Sequence, residues 1–248
     1  EAKWGYITLS VADWDGDGLP DVLVNSIWGQ VIWYRNIGSR SQPRLAGAQP
    51  VLVDWEGATP KPEWVWWKPK DRELVSQWRT TPLAVDYNRD GLQDLLMLDY
   101  EGYLAFYERT KGADGLLHLL PGKRLFTTDG PMVFDSSHKP LPQNDSHLRL
   151  NGLKNGKSGR RKIGLVDWNG DGRMDLLVNS INMTLLENRG QWDGLTLFHD
   201  AGPLAETKLA GHSTSPAVVD WNKDGIQDLL IGAEDGRFYC LRNPRGRQ

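Results

Sequence analysis

Hydrophobic and polar positions along the chain fall into a unit that recurs four times. A short apolar run (LSVA at 9–12, PLAV at 82–85, IGLV at 163–166, PAVV at 216–219) leads into a nine-residue polar segment, and a second run (DVLVNS, DLLMLD, DLLVNS, DLLIGA) leads out of it. Runs this short, rich in Val, Leu and Ile and bounded by turn residues, predict buried strands. A third, alternating run follows at 30–36, 102–109, 183–188 and 236–243, after links that carry Gly or Asn among polar neighbours, so the second and third strands are expected to form a hairpin. A weaker fourth strand is predicted at 48–55, 123–129 and 195–202, with no equivalent after the last copy. The expected fold is all-β, with three or four antiparallel strands in each repeat.

The polar segments share one sentence: DWDGDGLPD at Asp13 to Asp21, DYNRDGLQD at Asp86 to Asp94, DWNGDGRMD at Asp167 to Asp175 and DWNKDGIQD at Asp220 to Asp228. Acidic or amide oxygens at positions 1, 3 and 5 of a tight turn can converge on one hard cation, which takes about six to eight oxygens in the case of Ca²⁺. Position 6 is always Gly (Gly18, Gly91, Gly172, Gly225), which allows the left-handed backbone of a sharp turn. Position 7 varies in chemistry, as suits a residue that lends only its carbonyl, and position 9 is always Asp. An EF-hand would need Glu at position 12, where this chain has Val24, Met97, Val178 and Ile231. Plain Asp/Gly turns without an ion are the competing reading, and the repulsion among three or four carboxylates in one turn weighs against it.

Strand, loop and strand together resemble the FG-GAP or VCBS-type repeat, the calcium-loop blade of integrin α-chain propellers and of many secreted bacterial proteins. The resemblance implies a β-propeller of four-stranded antiparallel blades with DxDxDGxxD calcium loops. Blades are expected at about 4–54, 78–129, 148–202 and 213–243, with insertions at about 55–77 and 130–147. Because relatives of this type resemble rings of about seven blades, the chain is expected to be the C-terminal part of a longer one, in contact with further blades or another domain. Carried over by position, the metal ligands would be Asp13, Asp15, Asp17, Asp21; Asp86, Asn88, Asp90, Asp94; Asp167, Asn169, Asp171, Asp175; and Asp220, Asn222, Asp224, Asp228. About four Ca²⁺ ions would be held, in a structural role. The tryptophans at motif position 2 (Trp14, Trp168, Trp221) are expected to pack between blades.

Composition adjusts this picture at few points. The chain carries 32 Asp plus Glu against 29 Lys plus Arg, and 13 of the acids lie in the four loops, so the excess negative charge is concentrated where a cation would sit. The single Cys240 permits no internal disulfide and is expected to be a small buried hydrophobe. No apolar stretch approaches the ~20 residues of a membrane span, and the scattered basic residues give no nucleic-acid footprint. Metal in place of disulfides, and the family resemblance, point to a secreted, periplasmic or cell-surface protein.

Recognition is expected in the spacers. Nine of the twelve tryptophans fall in residues 1–78, and the segment from Trp55 to Arg79 also holds Lys61, Lys68 and Lys70. Aromatic faces stack on sugar rings and Lys or Arg pair with carboxylates or sulfates, so Trp64, Trp66, Trp67, Trp78, Arg79 and His212 are candidate ligand residues for an acidic polysaccharide or other glycan. Packing of these tryptophans within the fold is the alternative. His118, His138, His147 and His199 have no motif around them, and no GxSxG, HExxH or paired-carboxylate signature is present. Two functions follow: a carbohydrate-active propeller that binds an acidic polysaccharide, and cleaves it if it is a lyase or hydrolase, or a non-catalytic calcium-dependent adhesion or protein-interaction module.

Overall fold

The computed structural model describes residues 7–61, 67–132, 146–151, 161–206, 208–209, 214–233 and 235–246. Among them the fold is all-β, with no helix. The chain divides into two compact units, Glu1–Arg124 with Arg149–Arg160, and Leu125–Leu148 with Arg161–Gln248.

The first unit contains β1 (Thr8–Ala12), β2 (Asp21–Asn25), β3 (Val31–Tyr34) and β4 (Gln49–Pro50) in one antiparallel sheet, and β5 (Leu83–Val85), β6 (Asp94–Leu98) and β7 (Leu104–Tyr107) in a second. A hairpin of β8 (Arg109–Lys111) and β9 (Leu117–Leu119) follows. Alternation sorts each strand into two faces. Leu23, Val31 and Trp14 of the first sheet pack with Leu95, Met97, Ala105 and Tyr107 of the second.

The second unit contains β10 (Phe126–Thr128), β11 (Ile163–Val166), β12 (Asp175–Val178), β13 (Thr184–Trp192) and β14 (Leu195–Pro203) in the order β10-β14-β13-β12-β11. The final sheet is β15 (Ser215–Val219), β16 (Asp228–Gly232) and β17 (Phe238–Leu241). Here Val166, Trp168, Leu177 and Leu185 pack with Leu229 and Ile231.

In all four copies the second strand begins on the position 9 Asp: Asp21, Asp94, Asp175 and Asp228. The third strands also lie where the alternation placed them. The weak fourth strands fare differently. Residues 195–202 form β14 against β13, but only Gln49–Pro50 pair in the first sheet. The 123–129 segment is not a fourth strand of the second sheet: Lys123 makes a single bridge to Phe106, and Phe126–Thr128 run parallel to β14 instead. Phe126 and Phe198, with ring centres 6.0 Å apart, draw it there. Cys240 is exposed rather than buried, because β17 is the outer strand of its sheet and Cys240 lies on the face turned away from the Leu229–Ile231 core.

Candidate functional site

Each Asp loop is built by the same hydrogen bonds. The position 1 carboxylate accepts the N–H of the position 6 glycine: Asp13 from Gly18 at 2.8 Å, Asp86 from Gly91 at 3.0 Å, Asp167 from Gly172 at 3.1 Å and Asp220 from Gly225 at 3.0 Å. Those glycines have φ of +87°, +90°, +83° and +86°, as the sequence required. The position 5 carboxylate accepts the position 7 N–H: Asp17 from Leu19, Asp90 from Leu92, Asp171 from Arg173 and Asp224 from Ile226.

A second left-handed residue at position 4 was not foreseen. Gly16 and Gly170 adopt it freely, whereas Arg89 and Lys223 hold φ of 64° and 61° with side chains that disfavour it. The Gly-or-other alternation at this position was the signal available in the sequence.

Position 9 has a different task from positions 1 to 5. Asp21, Asp94, Asp175 and Asp228 are buried, and one oxygen of each accepts the N–H of the last residue of the third apolar run: Asn36 at 2.7 Å, Arg109 at 2.7 Å, Asn188 at 2.9 Å and Asn243 at 2.9 Å. The other oxygen accepts the position 2 N–H of Trp14, Tyr87 or Trp168 in the first three copies. This carboxylate therefore ties loop to sheet. Burial pushes the Asp94 and Asp175 carboxyls up, against the pull of their backbone donors.

The loops differ in how far their oxygens converge. Asp13, Asp15 and Asp21 each bring a carboxylate oxygen within 4.8 Å of the others, a spacing that a single cation can bridge. Asp13 Oδ1 is buried there with no hydrogen-bond partner. Partial burial and the neighbouring Asp17 and Asp21 charges raise the Asp15 carboxyl. An orphaned oxygen inside crowded like charges fits a divalent cation.

In the other three loops Asn replaces Asp at position 3, and its amide serves the loop itself. Asn88, Asn169 and Asn222 donate to Asp90, Asp171 and Asp224 and accept the N–H of those same residues. Among the described residues, only the first loop gathers three carboxylates in this way. It also carries an internal cation: Arg35 Nε lies 2.6 Å from Asp15 and its Nη2 3.0 Å from Asp17.

The candidate ligand residues are partly brought together. Trp64, Trp66 and His212 lie outside the described residues. Trp67 donates its indole N–H to the Trp28 carbonyl at 2.7 Å, and Trp28, which sequence reading passed over, is exposed. Trp78 and Arg79 sit beside the same turn. Arg79 N–H donates to the Ser26 carbonyl at 3.2 Å, and its guanidinium carbon lies 5.2 Å from the Trp78 ring centre. Beneath them a buried network fixes the turn: Asn25 donates to the Gln77 carbonyl and Thr80 hydroxyl, and Thr8 donates to the Thr80 carbonyl. SIWGQ read as a hairpin link hid Trp28, since its partner strand segment 75–79 is remote in sequence.

His118 and His199 each meet carboxylates. His118 lies between Asp54, 2.6 Å from Nδ1, and Asp114, 3.3 Å from Nε2, with Arg72 also on Asp54. His199 lies 2.7 Å from Asp129.

Residues 167–231 match the family of FG-GAP-like repeats, a stretch that runs from the third Asp loop through the fourth loop and into β16. No curated protein matches the chain.

Proposed function

We propose that this chain is a portion of a calcium-stabilised β-propeller that binds an acidic polysaccharide on the aromatic surface around Trp28. The FG-GAP-like match and the recurring sheet-loop-sheet unit support the propeller. In each blade the Asp loop would hold Ca²⁺ through the oxygens of positions 1, 3 and 5, with the position 9 Asp in the first loop. The ion supplies charge neutralisation and rigidity, and no reaction is assigned to it. A protein with such loops belongs outside the cell, in the periplasm or at the surface, where calcium is plentiful.

The observation that carries the ligand reading is the Trp67 indole seated on the Trp28 carbonyl next to Trp78 and Arg79. On this reading three indoles and a cation would line one surface of the first unit, on a turn held by a buried polar network. Sugar rings stack on such faces, and a guanidinium pairs with uronate or sulfate oxygens. Titration of intrinsic fluorescence with polygalacturonate and with a neutral glucan tests this. Saturable quenching by the acidic polymer, weakened at least about tenfold in Trp28→Ala and Arg79→Gln at unchanged melting temperature, is expected. Equal response to both polymers, or to wild type and variants, would remove the reading.

A further inference from the structure

We infer that the first Asp loop is a calcium-operated latch: metal-free, it is closed by Arg35 and Arg40, and a calcium ion entering it turns both side chains out to solvent. The inference rests on the reading of the loops as calcium sites and adds a response peculiar to the first of them.

The origin is the residue at position 3. In the second, third and fourth loops this is Asn, and its amide has two tasks. Oδ1 accepts the position 5 N–H, and Nδ2 donates to the position 5 Oδ2, at 2.9 Å to Asp90, 3.1 Å to Asp171 and 2.9 Å to Asp224. Each of these loops is thereby closed by a neutral donor of its own. The first loop has Asp15 instead. Its Oδ1 still accepts the Asp17 N–H, at 3.3 Å. A carboxylate has no proton to give, however, so Asp15 Oδ2 and Asp17 Oδ2 are like charges with no amide between them. Arg35 fills that place from outside the loop: its Nε lies 2.6 Å from Asp15 Oδ2 and its Nη2 3.0 Å from Asp17 Oδ2. Arg40 joins it, Nε donating to the Gly18 carbonyl at 3.3 Å.

The first loop therefore needs a cation to close, and two kinds can serve. A guanidinium spans two carboxylates in its own plane. Ca²⁺ carries twice the charge and gathers about six to eight oxygens, and Asp13, whose Oδ1 is buried with no hydrogen-bond partner, and Asp21 stand ready to add theirs. A dication and a guanidinium on the same carboxylates repel each other, the more so where water is partly excluded. The two occupants thus exclude one another.

The segment that carries the arginines is fixed at its base and open at its tip. Asn36 donates its N–H to Asp21 at 2.7 Å, and its Oδ1 accepts the N–H groups of Gly38 and Arg44, both at 3.0 Å. The Ile37 and Ala46 N–H groups donate to the Arg44 and Arg35 carbonyls, each at 2.8 Å. Residues 37–45 are exposed, and no acidic residue occurs from 35 to 53. Released guanidiniums would therefore meet solvent, with no rival carboxylate in their own segment. Calcium moves two positive charges from the loop to a basic surface strip that already holds Arg44.

Phenylglyoxal modification of the arginines in the 248-residue chain, read peptide by peptide in a mass spectrometer, tests the latch. Arg237, whose side chain is 77% exposed, serves as the reference, and titration calorimetry on the same samples reports calcium binding. In calcium at about 100 times its Kd the loop is essentially full, and Arg35 and Arg40 should react at least about threefold faster than in EDTA, with Arg237 unchanged. Asp15→Asn gives the first loop the amide that the other three use, so it should fold as they do. In EDTA its Arg35 should already react at the rate that wild type reaches only in calcium. A calcium heat with either arginine no faster, or an Arg35 that stays slow in Asp15→Asn, overturns the latch and leaves the calcium reading intact. No calcium heat at all removes both.

Discussion

Arg109 donates its backbone N–H to Asp94 at 2.7 Å, while its guanidinium lies 3.8 Å from the ring centre of Trp14 in the preceding copy. One residue thus fastens its own loop and covers its neighbour's. The cost is a buried cation whose Nε and Nη1 have no partner, and burial pushes its pKa down to about 10. The other three copies use Asn here. Arg109→Asn should therefore be tolerated, whereas Arg109→Ala should lose about 2–3 kcal/mol through the uncovered Trp14 and its unpaired carbonyl. Urea unfolding of the two variants checks this, and equal stabilities would contradict it.

Removing a position 9 carboxylate should hurt more than any substitution elsewhere in the loop. Asp175 is buried and accepts two backbone N–H groups. Hydrogen bonds to charged groups contribute about 1.5–3 kcal/mol each, so Asp175→Ala should destabilise by about 3 kcal/mol even without metal. A loss below about 1 kcal/mol would show that the loop does not depend on this tie.

Lys223 holds a left-handed backbone in the place where Gly16 and Gly170 stand, and its side chain is exposed. Relief of that strain is partly offset by glycine's greater unfolded-state entropy, leaving Lys223→Gly stabilised by about 0.5 kcal/mol. A small rise in the urea midpoint is expected, and a fall would show that the side chain has a structural partner.

The His118 clamp gives a pH dependence with a definite sign. Hydrogen bonds to Asp54 and then Asp114 raise the His118 pKa above its ordinary 6.5. Its stabilisation is complete below the unfolded value and disappears as pH rises through the raised one. Burial would raise the Asp54 carboxyl, but His118 and Arg72 outweigh it and hold that group low, so its share disappears as pH falls through the depressed value. Asp54 N–H donates to the Leu119 carbonyl at 2.9 Å, so its amide exchange reports the clamp. Protection should fall on the alkaline side in wild type and be flat there in His118→Gln.

Much of the repeat was legible because its signals are local. Asp at position 9, Gly at position 6 and the flanking apolar runs lie within one strand-loop-strand unit, and they fix the start of β2, β6, β12 and β16. What escaped depends on partners far along the chain. β10 joins β14 because Phe126 finds Phe198, and the turn that carries Trp28 is met by the distant segment around Val75. Composition likewise made Cys240 a core residue, and only strand order shows that β17 leaves it outside.

Arg35 occupies the loop where a divalent cation fits best. Its ion pairs with Asp15 and Asp17 lie at the surface, where water and salt screen them, so Arg35→Gln should leave the metal-free stability almost unchanged. Freed of a tethered competitor, the first loop should bind Ca²⁺ several-fold more tightly by titration calorimetry. Unchanged or weaker binding would mean that Arg35 organises the ligands instead.

Thermal unfolding with calcium and with EDTA reaches the central claim most directly, that these Asp loops are metal-stabilised joints. A ligand at about 100 times its Kd adds about 2.7 kcal/mol, which for a chain of this size is roughly 5–10 °C. The melting temperature should fall by that amount in EDTA and return when Ca²⁺ is restored, with a smaller shift in Asp13→Asn. Superimposable curves with and without the ion would contradict the account.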